Sequence, residues 1–298
     1  MNRFQWACSA IIAIALLAGL PVLSSDRDDA REGGLTGTGI VGEVTALGSI
    51  IVNGQRITFD PDLPVAQPLD SKLASALSPG EVVAVAVTPS DEDWDAQAIT
   101  QVYPLIGPVG AIGPNGLTVL GSPVQVAGPL PSLNVGDWVA VSGFWNRGTV
   151  TATVITPIAP QEQASIQGSY RTPVKGEALR IGGTTLDGVE LQHANDGDII
   201  RAAGIVQNGG LQVTDVFLGL FDAPVDLVLA EGYFSSVDPT GHYTLVGTGL
   251  SSFTENLDAV MPDSRAQVCG IGGRMIHGLP DITATDRDRL VRLGCTLP

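Results

Sequence analysis

Little in this 298-residue chain lends itself to chemistry. It has three cysteines, three histidines and 5% aromatic residues. There is no Cys-x-x-Cys pair, which removes a thioredoxin-like redox site from consideration. His193, His242 and His277 are scattered, without the His-x-x-x-His or His-Glu-x-x-His spacing that sets two zinc ligands on one helix face. A Gly-x-Ser-x-Gly elbow is also missing, and with it the sequence sign of a hydrolase nucleophile. Basic residues are few: 15 Lys+Arg against 31 Asp+Glu leave a net charge of −16. A field of that sign repels phosphate backbones and anionic lipid, so no nucleic-acid partner is expected.

Long apolar runs are lacking too. Ala10 to Leu20 is apolar but only 11 residues long, well short of the ~20 that span a bilayer. It follows basic Met1-Asn2-Arg3, is broken by Pro21, and leads into Val22-Leu23-Ser24, which reads as a signal peptide over 1–24 cleaved near Ser24. Cys8 precedes the run and has Gln5 and Trp6 before it, the wrong place for a lipid anchor. The expectation is an exported protein, periplasmic or extracellular, without a membrane span once the leader is removed. Residues 25–37, rich in Asp, Arg and Gly, read as a tether. Removing the leader leaves Cys269 and Cys295, which an oxidising compartment should bridge.

What the sequence does have is a repeat. Gly 37 and Pro 20 suit many short strands joined by turns, and the same phrases return about every sixty residues. Gly39-Ile40-Val41-Gly42-Glu43-Val44 opens the first round, and Ile51-Val52-Asn53-Gly54-Gln55 follows. Next comes Leu77-Ser78-Pro79-Gly80-Glu81-Val82-Val83-Ala84-Val85, and Ala96-Gln97-Ala98-Ile99 closes it. The Leu-x-x-Gly-acid step recurs as Leu133-Asn134-Val135-Gly136-Asp137 and as Asn195-Asp196-Gly197-Asp198. The units run 38–105, 106–163, 164–227 and 228–298, the last lacking the Gly-acid step. Leu69, Leu73, Ala76 and Leu77 predict a short helix within Pro68–Ser78. Thr254 is placed to cap another carrying Leu257, Val260 and Met261, and Asp286–Leu293 predicts a final helix. Period-2 alternation turns Val83, Val85, Val87, Val139, Val141, Ile200 and Ala202 inward. It sends Trp138 and Phe144 outward, toward a neighbouring unit or a ligand.

Strand, Val-Asn-Gly turn, Leu-x-x-Gly-acid step and closing strand together resemble a family of secreted bacterial repeats catalogued only as a domain of unknown function. The likeness implies an all-β tandem array of about four small five-stranded barrels, similar to the oligonucleotide/oligosaccharide-binding fold, with a few short helices. It implies no catalytic residues.

Two local patterns invite chemistry and fail on detail. Asp91, Asp93 and Asp95 open like a calcium loop, but Ala96 stands where the bend needs glycine and Val102 where a bidentate Glu belongs. Gly37-Thr38-Gly39-Ile40-Val41-Gly42 fits the dinucleotide fingerprint on paper, yet leads into a strand and not a helix. No catalytic residue, metal site or cofactor is therefore expected. Trp94, Trp138, Trp145, Tyr170, Tyr233 and Tyr243 lie on strands or turns where rings can stack on sugars. Trp138, Phe144, Tyr170 and Tyr233 are the candidate ligand-binding residues. The expected function is a non-catalytic envelope module that binds an envelope protein or neutral glycan or serves a structural role. An oligosaccharide binder using the grooves between units is the alternative, and a hydrolase with an unrecognised site the second.

Overall fold

The computed structural model describes residues 37–298 apart from positions 92, 190, 192, 257, 259, 280 and 298. The expected leader over 1–24, its cleavage point and nearly all of the 25–37 tether lie outside the described residues.

The protein is all-β, and its strands fall into four groups with one shared order. The first group comprises β1 (Gly37–Ala46), β2 (Ile50–Val52), β3 (Gln55–Thr58), β4 (Pro64–Ala66), β5 (Lys72–Leu73), β6 (Val82–Pro89) and β7 (Trp94–Gln101). The ring β1-β2-β3-β7-β6 closes back on β1, with one parallel contact between β3 and β7. The second group is β8 (Leu105–Gly113), β9 (Gly116–Val119), β10 (Ser122–Val126), β11 (Trp138–Asn146) and β12 (Thr149–Ile158). It closes in the same way, its parallel contact lying between β10 and β12.

The third group, β13 (Ala164–Ser169), β14 (Leu179–Ile181), β15 (Thr184–Asp187), β16 (Ile199–Gln207) and β17 (Gly210–Leu218), follows that order with its first two strands unladdered. The fourth is β18 (Val225–Tyr233), β19 (His242–Leu245), β20 (Leu250–Phe253), β21 (Arg265–Ile271) and β22 (Arg274–Met275). A single Phe234–Leu245 bridge completes it. A closed ring leaves few unpaired edges for strand-to-strand aggregation.

The repeated Leu-x-x-Gly-acid step is a turn, and its geometry explains the residues. Gly80, Gly136 and Gly197 sit at φ of +89, +95 and +99°, where a side chain would be strained. The acid that follows reaches back to the backbone N–H three residues earlier. Ser78 N donates to Glu81 Oε2 at 2.9 Å, while Asn134 N donates to Asp137 and Asn195 N to Asp198, each at 2.7 Å. The carboxylates are structural caps, the loop equivalent of a helix N-cap. In the fourth group Ser264 N still donates to Met261 O, at 3.3 Å, but Asp263 and Ser264 stand where the glycine and the acid belong.

Spatial pairing does not follow chain order. The opening strands join the groups: β1 lies parallel to β18, with Ile40 opposite Leu229, and β8 lies antiparallel to β13, with Ile106 opposite Ser165. Groups one and four thus share one sheet, and groups two and three share the other. Inward faces fill the barrels as the alternation predicts: Val83, Val85 and Val87 in one core, Val139, Val141, Ile200 and Ala202 in the other. The outward faces are buried as well. Val82, Ala84, Phe144, Ile199 and Val228 form a third core drawn from all four groups. Units this small hide too little surface alone, and burying the outer faces supplies the remainder.

The helices need correction. Within 68–78 the chain forms β5 and a single three-residue 3₁₀ turn over Ala74–Ala76. Pairing of Val65 with Lys72 takes the backbone into a ladder and leaves Leu73 exposed, so the apolar spacing never shares one helical face. Thr254 instead closes a local turn, its Oγ1 accepting from Asn256 N at 3.1 Å, and among the described residues 254–261 no helix forms. The last helix, α1 (Ala284–Arg292), does form, capped by Thr283 with Asp286 in its first turn. Cys269 and Cys295 are bridged, with Cα atoms 6.1 Å apart, which ties the tail to β21. From there Leu290 and Leu293 pack into the first group's core, and Gln55 Nε2 donates to Leu293 O at 3.2 Å.

Candidate functional site

The four aromatic candidates do not meet. Phe144 is buried in the shared core, with the Arg265 guanidinium 4.3 Å above its ring. Tyr170 is buried in the core of groups two and three. Trp138 and Tyr233 are half-buried against different cores. Trp94, Trp145 and Tyr243 are buried too, and Trp145 Nε1 donates to Gln167 O at 2.6 Å. Phe144 and Tyr170 are thus spent on packing, while Trp138 and Tyr233 remain partly exposed on different groups.

The Asp91–Asp95 turn joins β6 to β7. Asp93 pairs with Arg56 at 3.3 Å, and Arg292 donates to the backbone carbonyls of Ser90 and Asp93. Among the described residues no three His, Cys, Asp or Glu side chains converge. His242 faces Asp238 at 3.9 Å, and Tyr243 Oη lies 2.5 Å from His277 Nε2. Burial lowers the pKa of His277.

One feature that can take a ligand is a cleft between the first and third groups, with a cavity volume of about 290 Å³. This is near the small end of ligand pockets, which run from roughly 300 to 1,000 Å³. Pro68 and Tyr103 form part of one wall, and Ile166, Ala202, Ala203 and Phe217 part of the other. Phe217 is 60% exposed at the rim. Burial, and then the charge of Glu81, hold the Tyr103 phenol well above its ordinary pKa, so it stays neutral in any physiological medium.

The polar groups of the cleft are built with care. At the end of β7, Gln101 is 2% exposed. Its Oε1 accepts from Lys72 Nζ at 3.1 Å, and that ammonium also binds both oxygens of Glu81 at 2.6 and 2.7 Å. Since an ammonium only donates, Lys72 fixes the amide with its oxygen inward. Gln101 Nε2 is left without a protein partner. On the other wall, Arg201 Nη2 donates to Asp222 Oδ1 at 2.8 Å and its guanidinium lies 5.7 Å from the Phe217 ring. Arg201 Nε is likewise unpartnered. Among the described residues these are the two buried side-chain nitrogens lacking a partner, and both belong to residues that line this cleft. Leaving a buried donor unpaired costs about 1–3 kcal/mol, so each calls for an explanation.

Sequence reasoning missed this site because its parts come from separate stretches spread between Ala66 and Asp222. One signal was there. The repeat's acid is Asp at 137 and 198 but Glu at 81, and the longer side chain both caps its turn and holds Lys72.

A wider hollow of about 520 Å³ lies beside Arg147 and Arg171. Arg147 pairs there with Asp263 at 3.2 Å, and no unpartnered buried donor lines it.

No curated protein and no solved structure matches the chain significantly. A family model does match, in two adjacent stretches, 38–100 and 106–156. These stretches cover nearly all of the first two strand rings, which are thus similar to the family described as Domain of unknown function (DUF5666).

Proposed function

We propose that this protein is an exported, non-catalytic binding module of the cell envelope, whose repeats form a rigid frame around the cleft between the first and third groups. The observation that carries this reading is the cleft itself, about 290 Å³, with Pro68, Tyr103, Ile166 and Phe217 in its lining. Binding without catalysis is favoured because the ionisable groups there are already engaged. Arg201 and Asp222 hold one another, Tyr103 stays neutral, and no histidine lines the cleft to serve as a base. Export is supported by the Cys269–Cys295 bridge, which suits an oxidising compartment, and by the leader-like sequence of residues 1–24.

A fragment screen read by protein-observed NMR tests the binding half. Hits that shift the amides of Ala202, Ala203 and Phe217 are expected. Hits confined to other surfaces, or none at millimolar concentration, would overturn it. Intact-mass analysis of the native envelope fraction tests the rest, the expected product beginning near Ser25. Retention of Met1 to Leu20 would overturn cleavage.

A further inference from the structure

We infer that the cleft takes a neutral sugar ring, its hydroxyls bonded by Thr100, Ser165 and Gln167 and its apolar face laid against Phe217. The inference rests on the reading of the cleft as a binding site and names the class of molecule it takes.

Strand parity says which side chains face the space. Along β13, Ala164 and Ile166 turn into the barrel core, so Ser165 and Gln167 lie on the outer face. Across the ladder Ser165 is opposite Ala203 and Gln167 opposite Arg201, which is in turn opposite Phe217 on β17. All five line the cleft. On the other wall Ile99 points into its own barrel, which turns Thr100 outward, beside Ala66 of β4.

Three of these side chains are polar groups without a protein partner. Thr100 and Gln167 are only 4% and 7% exposed. The backbone of Gln167 is engaged, its N–H with Pro104 O at 3.0 Å and its carbonyl with Trp145 Nε1. Among the described residues no hydrogen bond reaches the side chains of Thr100, Ser165 or Gln167, and their polar atoms are not among those sealed from solvent. Two hydroxyls and a primary amide can each donate and accept. A ligand whose own groups do both, as sugar hydroxyls do, can replace the water on all three. An apolar body would strip that water and return nothing.

Charge narrows the class. The ionised groups of the lining, Arg201 and Asp222, lie 2.8 Å apart and cancel. An anion would face the exposed Asp222 carboxylate in a chain of net charge −16, and a cation would face Arg201. A neutral polyol meets neither repulsion, and its hydroxyls can donate to Asp222. Phe217, 60% exposed at the rim, supplies an aromatic face that the C–H side of a sugar ring can cover. A volume of about 290 Å³ suits a single sugar unit or the end of a chain.

The test titrates one ring in several charge states into the protein and locates binding by amide shifts. The probes are methyl β-glucoside, methyl β-glucuronide and methyl β-glucosaminide. Methyl β-galactoside and methyl β-mannoside vary the stereochemistry, and cyclohexanol is the apolar ring. At least one neutral glycoside should shift the amides of Ser165, Gln167 and Phe217 at millimolar concentration, and bind about fivefold or more tighter there than the charged rings and cyclohexanol. Thr100→Val keeps the shape and removes the hydroxyl, and Phe217→Ala removes the ring at an exposed position. Each should weaken that glycoside about fivefold, as the loss of one modest contact implies.

Tighter binding of a charged or apolar probe at the same amides overturns the sugar assignment and leaves the cleft a binding site. Glycosides that shift only amides elsewhere, or whose affinity ignores both substitutions, also overturn it. Silence of every probe at the cleft ends the assignment, and the fragment screen then decides separately whether the cleft binds at all. Should Thr100→Val fold poorly, Ser165→Ala reads the same loss from the other wall.

Discussion

The second and fourth groups solve the same folding problem by different means. The second closes its own ring through complete ladders, and its β11 turn is set by Gly136 and the Asp137 cap. The fourth keeps the strand order but lacks the glycine and the acid, and it closes through one bridge. Its support comes from outside. The bridge from Cys269 to Cys295 fixes the tail, and α1 packs Leu290 and Leu293 into the first group's core. Arg289 Nη2 donates to Thr38 Oγ1 at 2.9 Å across the same seam. The comparison shows that the hallmark turn stabilises the ring without defining it: a covalent tether and a neighbour can substitute.

The largest effect should come from a residue buried where the groups meet. Phe144→Ala removes the second group's contribution to the shared core, where it packs with Val82, Ile199 and Val228. A buried Phe→Ala change costs about 3–5 kcal/mol. Urea unfolding should show that loss in a single transition. Two separated transitions would mean that the groups are energetically independent.

Breaking the tether comes next. Replacing Cys269 and Cys295 by serine opens a loop of 26 residues' separation, worth about 3–4 kcal/mol in the chain-entropy model. Hydrogen exchange should rise in α1 and β21 before it rises in β11. Equal rises would contradict the division of labour between the two groups.

The repeated turn gives a sharper test, because one motif position carries two different loads. Asp137→Ala should cost about 1 kcal/mol, the usual value of a backbone cap. Glu81→Ala should cost about 3 kcal/mol or more, because it also strands a Lys72 side chain that is only 16% exposed. Similar costs for the two changes, measured by denaturant midpoint, would reject the second role of Glu81.

The smallest effect is a pH dependence confined to the fourth group. Burial depresses the pKa of His277 in the folded protein. The unfolded chain, whose histidine titrates near 6.5, therefore takes up the proton first as pH falls. Stability should be constant above about pH 7 and decline below roughly 6.5 toward the folded value. His277→Gln should flatten that slope. A slope that survives the substitution assigns the effect to other groups.

Much of the frame was legible because it rests on local rules. Asn53-Gly54 reads directly as a tight hairpin, and both residues take positive φ. Alternation picked out Val83, Val85, Val139 and Val141 as inward, since a strand's two faces are fixed by parity. The helix expected within 68–78 failed because the ladder between Val65 and Lys72 outweighed a weak local propensity. Trp138 and Phe144 were placed outward by strand parity, and parity cannot tell an outer face that meets solvent from one that meets another barrel; Phe144 is buried for that reason. Phe217 and Tyr103, which do line the cleft, belong to no repeated phrase and carried no local signal.

The sequence by itself determined the repeat, its turns, the inward faces of its strands and the pairing of its two C-terminal cysteines, because each depends on residues within one unit or on simple counting. Only the tertiary structure decided that the first group pairs with the fourth and the second with the third. It alone made Glu81, Lys72 and Gln101 one chain of contacts, and it alone brought Arg201 to face them across a cleft. Inter-unit packing depends on which outer faces fit together in three dimensions, and the near-identical alternation of each repeat leaves that choice open.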